Sequence, residues 1–268
     1  MNRIEACFAR LRGAGRRALI PYVTAGDPSL DVTGRLVIEM ARRGADIVEL
    51  GVPFSDPLAD GPTIQRASQR ALQGKTTLRG ILALVRDLRN HTEIPLVLMT
   101  YYNPIFAYGE EDFLTHAREV GVDGVIVPDL PPDEGSTFYD RAAAAGIDAI
   151  LLVAPTSPQA RIRMIAERSR GFLYYVSLTG VTGSRDRLAA DLDEKLALIR
   201  SLTKKPVAVG FGISTPAQAA AAARLADAVI VGSALIDRWE KAGPDAEGVR
   251  AIGDFIASLR AAIDTLSV

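Results

Sequence analysis

Glu49, Asp56 and Asp60 lie close together in ELGVPFSDPLADGPTIQRASQ, a stretch stiffened by Pro53, Pro57 and Pro62. A carboxylate serves as a general acid or base when its surroundings bring its pKa near the working pH. Glu49 stands in the apolar run DIVEL (46–50). Side chains alternate along a strand, so Ile47 and Glu49 share one face and Val48 and Leu50 the other. If Val48 and Leu50 pack against helices, Glu49 points to the opposite side, where partial desolvation raises its pKa. The competing reading is a Glu paired with a buried Lys or Arg, and no basic residue stands at a strand end to pair with it. Asp60 precedes Gly61-Pro62, where a helix is expected to begin, so a helix cap is the plain alternative to chemistry. Asp56, between Ser55 and Pro57, reads as a turn residue.

Glycine clusters suggest a second kind of chemistry. GVTG (180–183), GFGIS (210–214) and GSA (232–234) each follow an apolar run. Backbone N–H groups at a helix N-terminus hold phosphate without a cationic side chain. Turn glycines with no ligand remain the alternative. Other chemistries find little support. His91 and His116 fall at a helix terminus and within a helix, away from strand ends, and no serine has a histidine in view. Cys7 is the only cysteine, so neither an internal disulfide nor a cysteine-based zinc site can form. No metal site is expected.

Eight short apolar runs must position these groups: ALIPYV (18–23), DIVEL, PLVLMT (95–100), DGVIV (123–127), DAILLV (148–153), FLYYVS (172–177), PVAVG (206–210) and DAVIV (227–231). Helical spacing lies between them: Val32, Leu36, Val37 and Met40 fall on one face, as do Leu78, Ile81, Leu82 and Val85. Continuous apolar strands alternating with helices mean a parallel sheet covered on both faces. ARRGADIVEL, AREVGVDGVIV, AAAAGIDAILL and AARLADAVIV repeat one grammar, in which a helix ends and an Asp opens a strand. Eight such units in 268 residues predict a TIM (β/α)8 barrel, a single domain over 1–268 with an extra N-terminal helix. A doubly wound sheet is the alternative, but YVTAGDPS (22–29) lacks its Gly-rich fingerprint.

In a barrel, functional residues gather where strands end and βα loops begin. That selects Glu49, Asp60, Thr100, Tyr101, Asp129, Ser177, Gly210 to Gly212, Gly232 and Ser233. With 31 basic and 32 acidic residues, the chain lacks the basic footprint of a nucleic-acid binder. RLRGAGRR (10–17) reads as a solvated helix end and loop. MNRIEACFARLR resembles an amphipathic helix rather than a signal peptide. The uncharged run 94–109 carries two prolines and is too short to span a bilayer. A soluble cytoplasmic protein is the expectation.

ELGVPFSDPLADGP, IPYVTAGDP (20–28), PDLP (128–131), GVTG, GFGIS and VGSA (231–234) together resemble the tryptophan synthase alpha chain family, from Ile20 to Ser233. The resemblance implies a barrel that cleaves indole-3-glycerol phosphate to indole and glyceraldehyde 3-phosphate. It implies no cofactor in this chain and a beta-chain partner, in an allosteric alpha2-beta2 heterotetramer, that uses pyridoxal phosphate to join indole to serine. Glu49 and Asp60 match the family's catalytic acids, and Asp56 a loop position tied to communication with the beta chain. Tyr22, Thr100, Tyr174, Thr182 and Phe211 match positions around the substrate, and Gly183, Gly212, Gly232 and Ser233 those around its phosphate. Tyr22 stands where some members carry Phe. Counting back from Thr182 selects Tyr174 over Tyr175, while parity alone allows either. The alternatives are another phosphosugar isomerase or lyase, and a barrel kept only as a regulatory subunit. A Schiff-base aldolase would need a lysine at a strand end, and Lys75, Lys195, Lys204, Lys205 and Lys241 all fall elsewhere.

Overall fold

Every apolar run becomes a strand. The computed structural model describes residues 2–176, 185–210 and 212–265, with the backbone alone for 185–191. The strands are β1 (Ala18–Thr24), β2 (Val48–Gly51), β3 (Leu96–Met99), β4 (Gly124–Ile126), β5 (Asp148–Ala149), β6 (Leu151–Val153), β7 (Leu173–Val176), β8 (Val207–Gly210) and β9 (Ala228–Val231). They form one parallel sheet in the order β5-β4-β3-β2-β1-β9-β8-β7-β6. The two ends of that order, β5 and β6, flank Ile150 in one extended stretch. Its first half pairs with β4 and its second half with β7, which brings the sheet round on itself. The nine strands are therefore the eight expected staves of a barrel, with the fifth interrupted at one residue.

The helices are α1 (Arg3–Gly13), α2 (Leu30–Arg42), α3 (Pro62–Gln73), α4 (Leu78–Leu88), α5 (Tyr102–Tyr108), α6 (Glu110–Val120), α7 (Ser136–Ala144), α8 (Gln159–Arg168), α9 (Arg185–Leu202), α10 (Pro216–Leu225), α11 (Ser233–Ala242) and α12 (Ala246–Asp264). The faces read from helical spacing are the buried faces of α2 and α4. Gly121 adopts the left-handed conformation that ends α6.

Strand alternation divides the core into two shells. Leu19, Val48, Leu50, Leu98, Val209 and Val229 face outward and pack with helix residues such as Val37, Ile81 and Leu259. Ile20, Ile47, Val97, Ile126, Ile150, Phe172 and Ile230 fill the lumen. Each such side chain, fully buried, contributes about 1.5–3 kcal/mol. The N-terminal helix belongs to this inner shell. Ile4, Cys7, Phe8 and Leu11 of α1 close the bottom of the barrel, with Phe8 on Phe172 at 5.7 Å between ring centroids. Burial there pushes the Cys7 thiol up to about 11, so it behaves as a small apolar residue.

The basic run at 10–17 does more than face solvent. Arg10 pairs with Asp46 at 3.5 Å and Arg16 with Asp264 at 3.0 Å, while Arg17 donates to the Ala223 carbonyl. These contacts join the chain entering β1 to α10 and α12. The sequence reading missed them because the partners are far away in sequence.

Candidate active site

Glu49 lies within β2, level with Tyr22 on β1 and Val97 on β3. Val48 and Leu50 pack outward against helices, which turns Glu49 into the lumen. It is fully buried, and among the described residues neither carboxylate oxygen has a hydrogen-bond partner. With no counter-charge, burial pushes its carboxyl up to about 8. Such a group carries its proton at neutral pH and can deliver it.

Asp60 sits in the loop between β2 and α3. It does not cap the helix: Gly61 is the N-cap of α3, without a side-chain hydrogen bond. Its carboxylate instead lies near the Tyr101 phenol, close enough for each to act on the other's titration. Burial pushes Asp60 up to about 6, and the nearby Tyr101 hydroxyl pulls it back toward the ionised form. The two acids are thereby separated. At neutral pH Glu49 is a donor and Asp60 a carboxylate, which is how two like residues take different roles in one site.

Two phenols complete the wall. Tyr22 and Tyr174 are both raised above the ordinary tyrosine range, first by burial and also by the nearby Glu49 and Asp60. The four groups thus lie within electrostatic reach of one another. Tyr174 packs with the lumen cluster, whereas Tyr175 belongs to the outer core, so the pair is resolved in favour of Tyr174. Small residues make room for the rings. A Cβ on Gly51 would overlap the Tyr22 hydroxyl, and one on Gly210 would lie 2.5 Å from the Tyr174 hydroxyl. Neither requirement was visible in sequence, because each joins residues on different strands.

The phosphate candidates divide by their helix ends. The N-terminus of α10 is occupied by its own side chains: Thr215 and Gln218 form a capping box, and Gln218 also accepts from the Ser214 N–H. The N-terminus of α11, at Gly232 and Ser233, has no side-chain cap. Ser233 is exposed there, and Gly232 lies beside Tyr22. Gly212 is exposed and has φ +38. Arg238 of α11 donates to the Ser214 carbonyl and holds the loop after β8 against α11. The open helix end is thus the one at Gly232-Ser233.

Some expected residues fall elsewhere. Thr182, Gly183 and Phe211, and Ser177 at the end of the sixth run, lie outside the described residues. Thr100 is buried with its hydroxyl on the Tyr101 carbonyl at 3.1 Å, while its neighbour Met99 packs with Tyr22, Ala67 and Ile236. Asp56 is exposed and accepts from the Ser55 hydroxyl, as a turn residue would. Asp129 accepts from the Tyr102 N–H at the start of α5. His116 shares a hydrogen bond with Tyr108, and among the described residues no group of His, Cys, Asp and Glu could hold a metal ion.

The helix that follows the Asp60 loop and the open helix end are tied together. Arg70 of α3 grips Asp27 through two 2.7 Å bonds and reaches Glu240 of α11. Trp239 of α11 donates to the Asp27 carbonyl, and Thr63 of α3 to Asp237. The buried Asp27 is therefore a junction between the loop after β1, α3 and α11.

The chain is similar to known proteins in sequence and fold. The chain is 50% identical to the tryptophan synthase alpha chain of Geobacter sp. (strain M21) over 97% of each chain. It is 51% identical to that of Geobacter sulfurreducens over 98% of this chain and 99% of the relative. Among solved structures, a tryptophan synthase alpha chain from Legionella pneumophila superposes with a TM-score of 0.92 at 40% identity, covering 99% of this chain and 98% of that one. The family model described as tryptophan synthase alpha chain matches residues 8–262, a span that takes in both acids, the lumen tyrosines and the open end of α11. The barrel with two separated carboxylates at its mouth belongs to the tryptophan synthase alpha chain family.

Proposed function

We propose that the site performs its family's reaction with Glu49 and Asp60 as its two working acids. The chain is a carbon–carbon lyase that cleaves indole-3-glycerol phosphate to indole and glyceraldehyde 3-phosphate. Protonated Glu49 delivers its proton to indole C3, which makes that carbon a leaving group. The ring nitrogen takes up positive charge, and ionised Asp60 stabilises it by accepting from the indole N–H. Glu49, now a carboxylate, accepts the proton of the glycerol hydroxyl as the carbon–carbon bond breaks and the aldehyde forms. The electrons of that bond return to the ring, and Glu49 ends the cycle protonated again. Tyr22 and Tyr174 line the space for the ring, and the open N-terminus of α11 with Gly212 takes the phosphate.

One observation carries this reading: Glu49 is fully buried and, among the described residues, unpartnered, beside an acid that is ionised at neutral pH. The test is release of glyceraldehyde 3-phosphate from indole-3-glycerol phosphate, read with a coupled dehydrogenase. Release by wild type and its loss in Glu49→Gln is the expected pair of results. Equal release by both removes Glu49 from the chemistry. A Schiff-base alternative has no support, since none of the five lysines ends a strand.

The family implies a beta-chain partner. We infer an alpha2-beta2 assembly in which the beta chain, holding pyridoxal phosphate, receives the indole, while this chain works as one cofactor-free domain. Leu58 is 95% exposed and Phe106 67% exposed, and they lie after the neighbouring strands β2 and β3 on the face that carries the site. Exposed apolar side chains beside a catalytic loop suit a partner that both receives product and steadies the loop. No helix among the described residues is long and apolar enough to cross a membrane. We place the enzyme in the cytoplasm.

A further inference from the structure

Tyr101 holds none of the roles assigned above, yet it touches the loop that carries Asp60 at two points. It lies between β3 and α5 and is buried. Its hydroxyl accepts from the Ala59 N–H at 2.8 Å, next to Asp60, and acts on the Asp60 carboxylate. Its ring packs on Phe54 with centroids 5.3 Å apart. Phe54, Ala59 and Asp60 all belong to the loop between β2 and α3, in which Ser55, Asp56, Leu58 and Ala59 are exposed. A loop with so little buried apolar surface has little stability of its own. Its geometry must come from outside contacts.

We propose that Tyr101 is the positioning residue for Asp60, fixing the loop after β2 and directing the carboxylate to its working place. This rests on the role proposed above for Asp60. The surrounding charges give the physical reason. The other titratable groups sensing Asp60 are Tyr22 from β1 and Tyr174 from β7, with Glu49 on β2 sensed by the same two phenols. Asp129, after β4, acts on Tyr101 itself. Burial disfavours the Asp60 charge, and the nearby Tyr101 hydroxyl opposes that effect. A donor to a carboxylate favours its ionised form. Removing the hydroxyl therefore has two consequences: the loop loses an anchor, and Asp60 holds its proton to higher pH.

The test compares Tyr101→Phe, Asp60→Asn and a protein carrying 3-fluorotyrosine at position 101, using pH profiles of glyceraldehyde 3-phosphate release. Tyr101→Phe keeps the ring on Phe54. Its kcat is expected to fall about tenfold, less than the roughly 10²-fold or more of a group that itself transfers the proton. KM should stay within about threefold, since positioning of a transition-state group lowers kcat rather than binding. The acidic limb of its kcat/KM profile should move upward by about half a pH unit or more, as loss of a donor requires. Fluorotyrosine, a stronger donor, should retain kcat and move that limb downward, and it decides the matter even if Tyr101→Phe folds poorly. A Tyr101→Phe profile that superimposes on wild type, or a rise in KM with kcat unchanged, overturns the positioning role while leaving Asp60 in place. Full activity in Asp60→Asn removes the role of Asp60 itself, and that of Tyr101 with it.

Discussion

The two ends of this barrel use the same chemical group for opposite purposes. At the bottom, three strands are preceded by an Asp whose carboxylate accepts from a backbone N–H of the neighbouring strand. Asp46 accepts from the Leu19 N–H and from Arg260, each at 3.0 Å. Asp123 accepts from the Leu96 N–H at 2.8 Å and from Arg89 at 2.7 Å. Asp227 accepts from the Val207 N–H at 3.0 Å. Each carboxylate satisfies a backbone donor on the neighbouring strand and fixes the register there. At the top, Glu49 is buried with neither oxygen partnered among the described residues. A buried carboxyl without partners is costly as a charge and stays neutral instead. The bottom carboxylates hold the fold together, and the resulting rigidity lets the top hold an acid that the fold does not need.

The comparison breaks most sharply at Glu49. Glu49→Gln is expected to lower kcat by about 10³-fold, within the range of general acid–base groups. It should leave the fold intact and more stable in base. The folded pKa of about 8 lies above the ordinary 4.5, so the stabilising contribution of the neutral carboxyl is complete below pH 4.5 and is lost as pH rises through 8. Glutamine suffers no such loss, and denaturant melts at pH 9 should favour the variant by about 2–4 kcal/mol. The mirror experiment at the bottom is Arg89→Ala. It leaves Asp123 only Arg3 and the Leu96 N–H and frees the Gly121 and Ile94 carbonyls, so about 2 kcal/mol of stability should go, while kcat of the folded fraction stays at wild type. A loss of kcat there would mean that the two ends are not separable.

Asp60→Asn is expected to cost about 10²-fold in kcat, with little change in melting temperature because Asp60 caps no helix. Gly232→Ala should have the smallest effect, a rise in KM of about threefold to tenfold with kcat and indole binding unchanged. The added Cβ would sit 3.5 Å from the nearest Tyr22 atoms, an ordinary contact, so the protein accommodates it and only the phosphate approach is crowded. Equal weakening of indole and substrate would assign Gly232 to the fold.

Much of this was legible in the sequence. The strands came from continuous β-branched runs, and the direction of Glu49 from alternation beside Val48 and Leu50. Those signals are local. The rest depends on contacts between distant segments. Asp60 reads equally well as a cap from its spacing until Gly61 is seen to be the N-cap of α3, and alternation alone cannot choose Tyr174 over Tyr175 until the inner and outer shells are known. The roles of Gly51 and Gly210 follow from tyrosines on other strands. The interruption of the fifth stave at Ile150 has no counterpart in the run DAILLV.

The most direct test of the contrast between the two ends is the protonation state of Glu49 at neutral pH. Infrared difference spectra between wild type and Glu49→Gln, recorded across pH 5 to 10 (about the range bracketing the shift), isolate its carboxyl stretch. A protonated carboxyl band that persists at pH 7 and disappears near pH 8 is the expected result. A carboxylate band already complete at pH 6 would contradict it, and would leave Glu49 as a base without a proton to give.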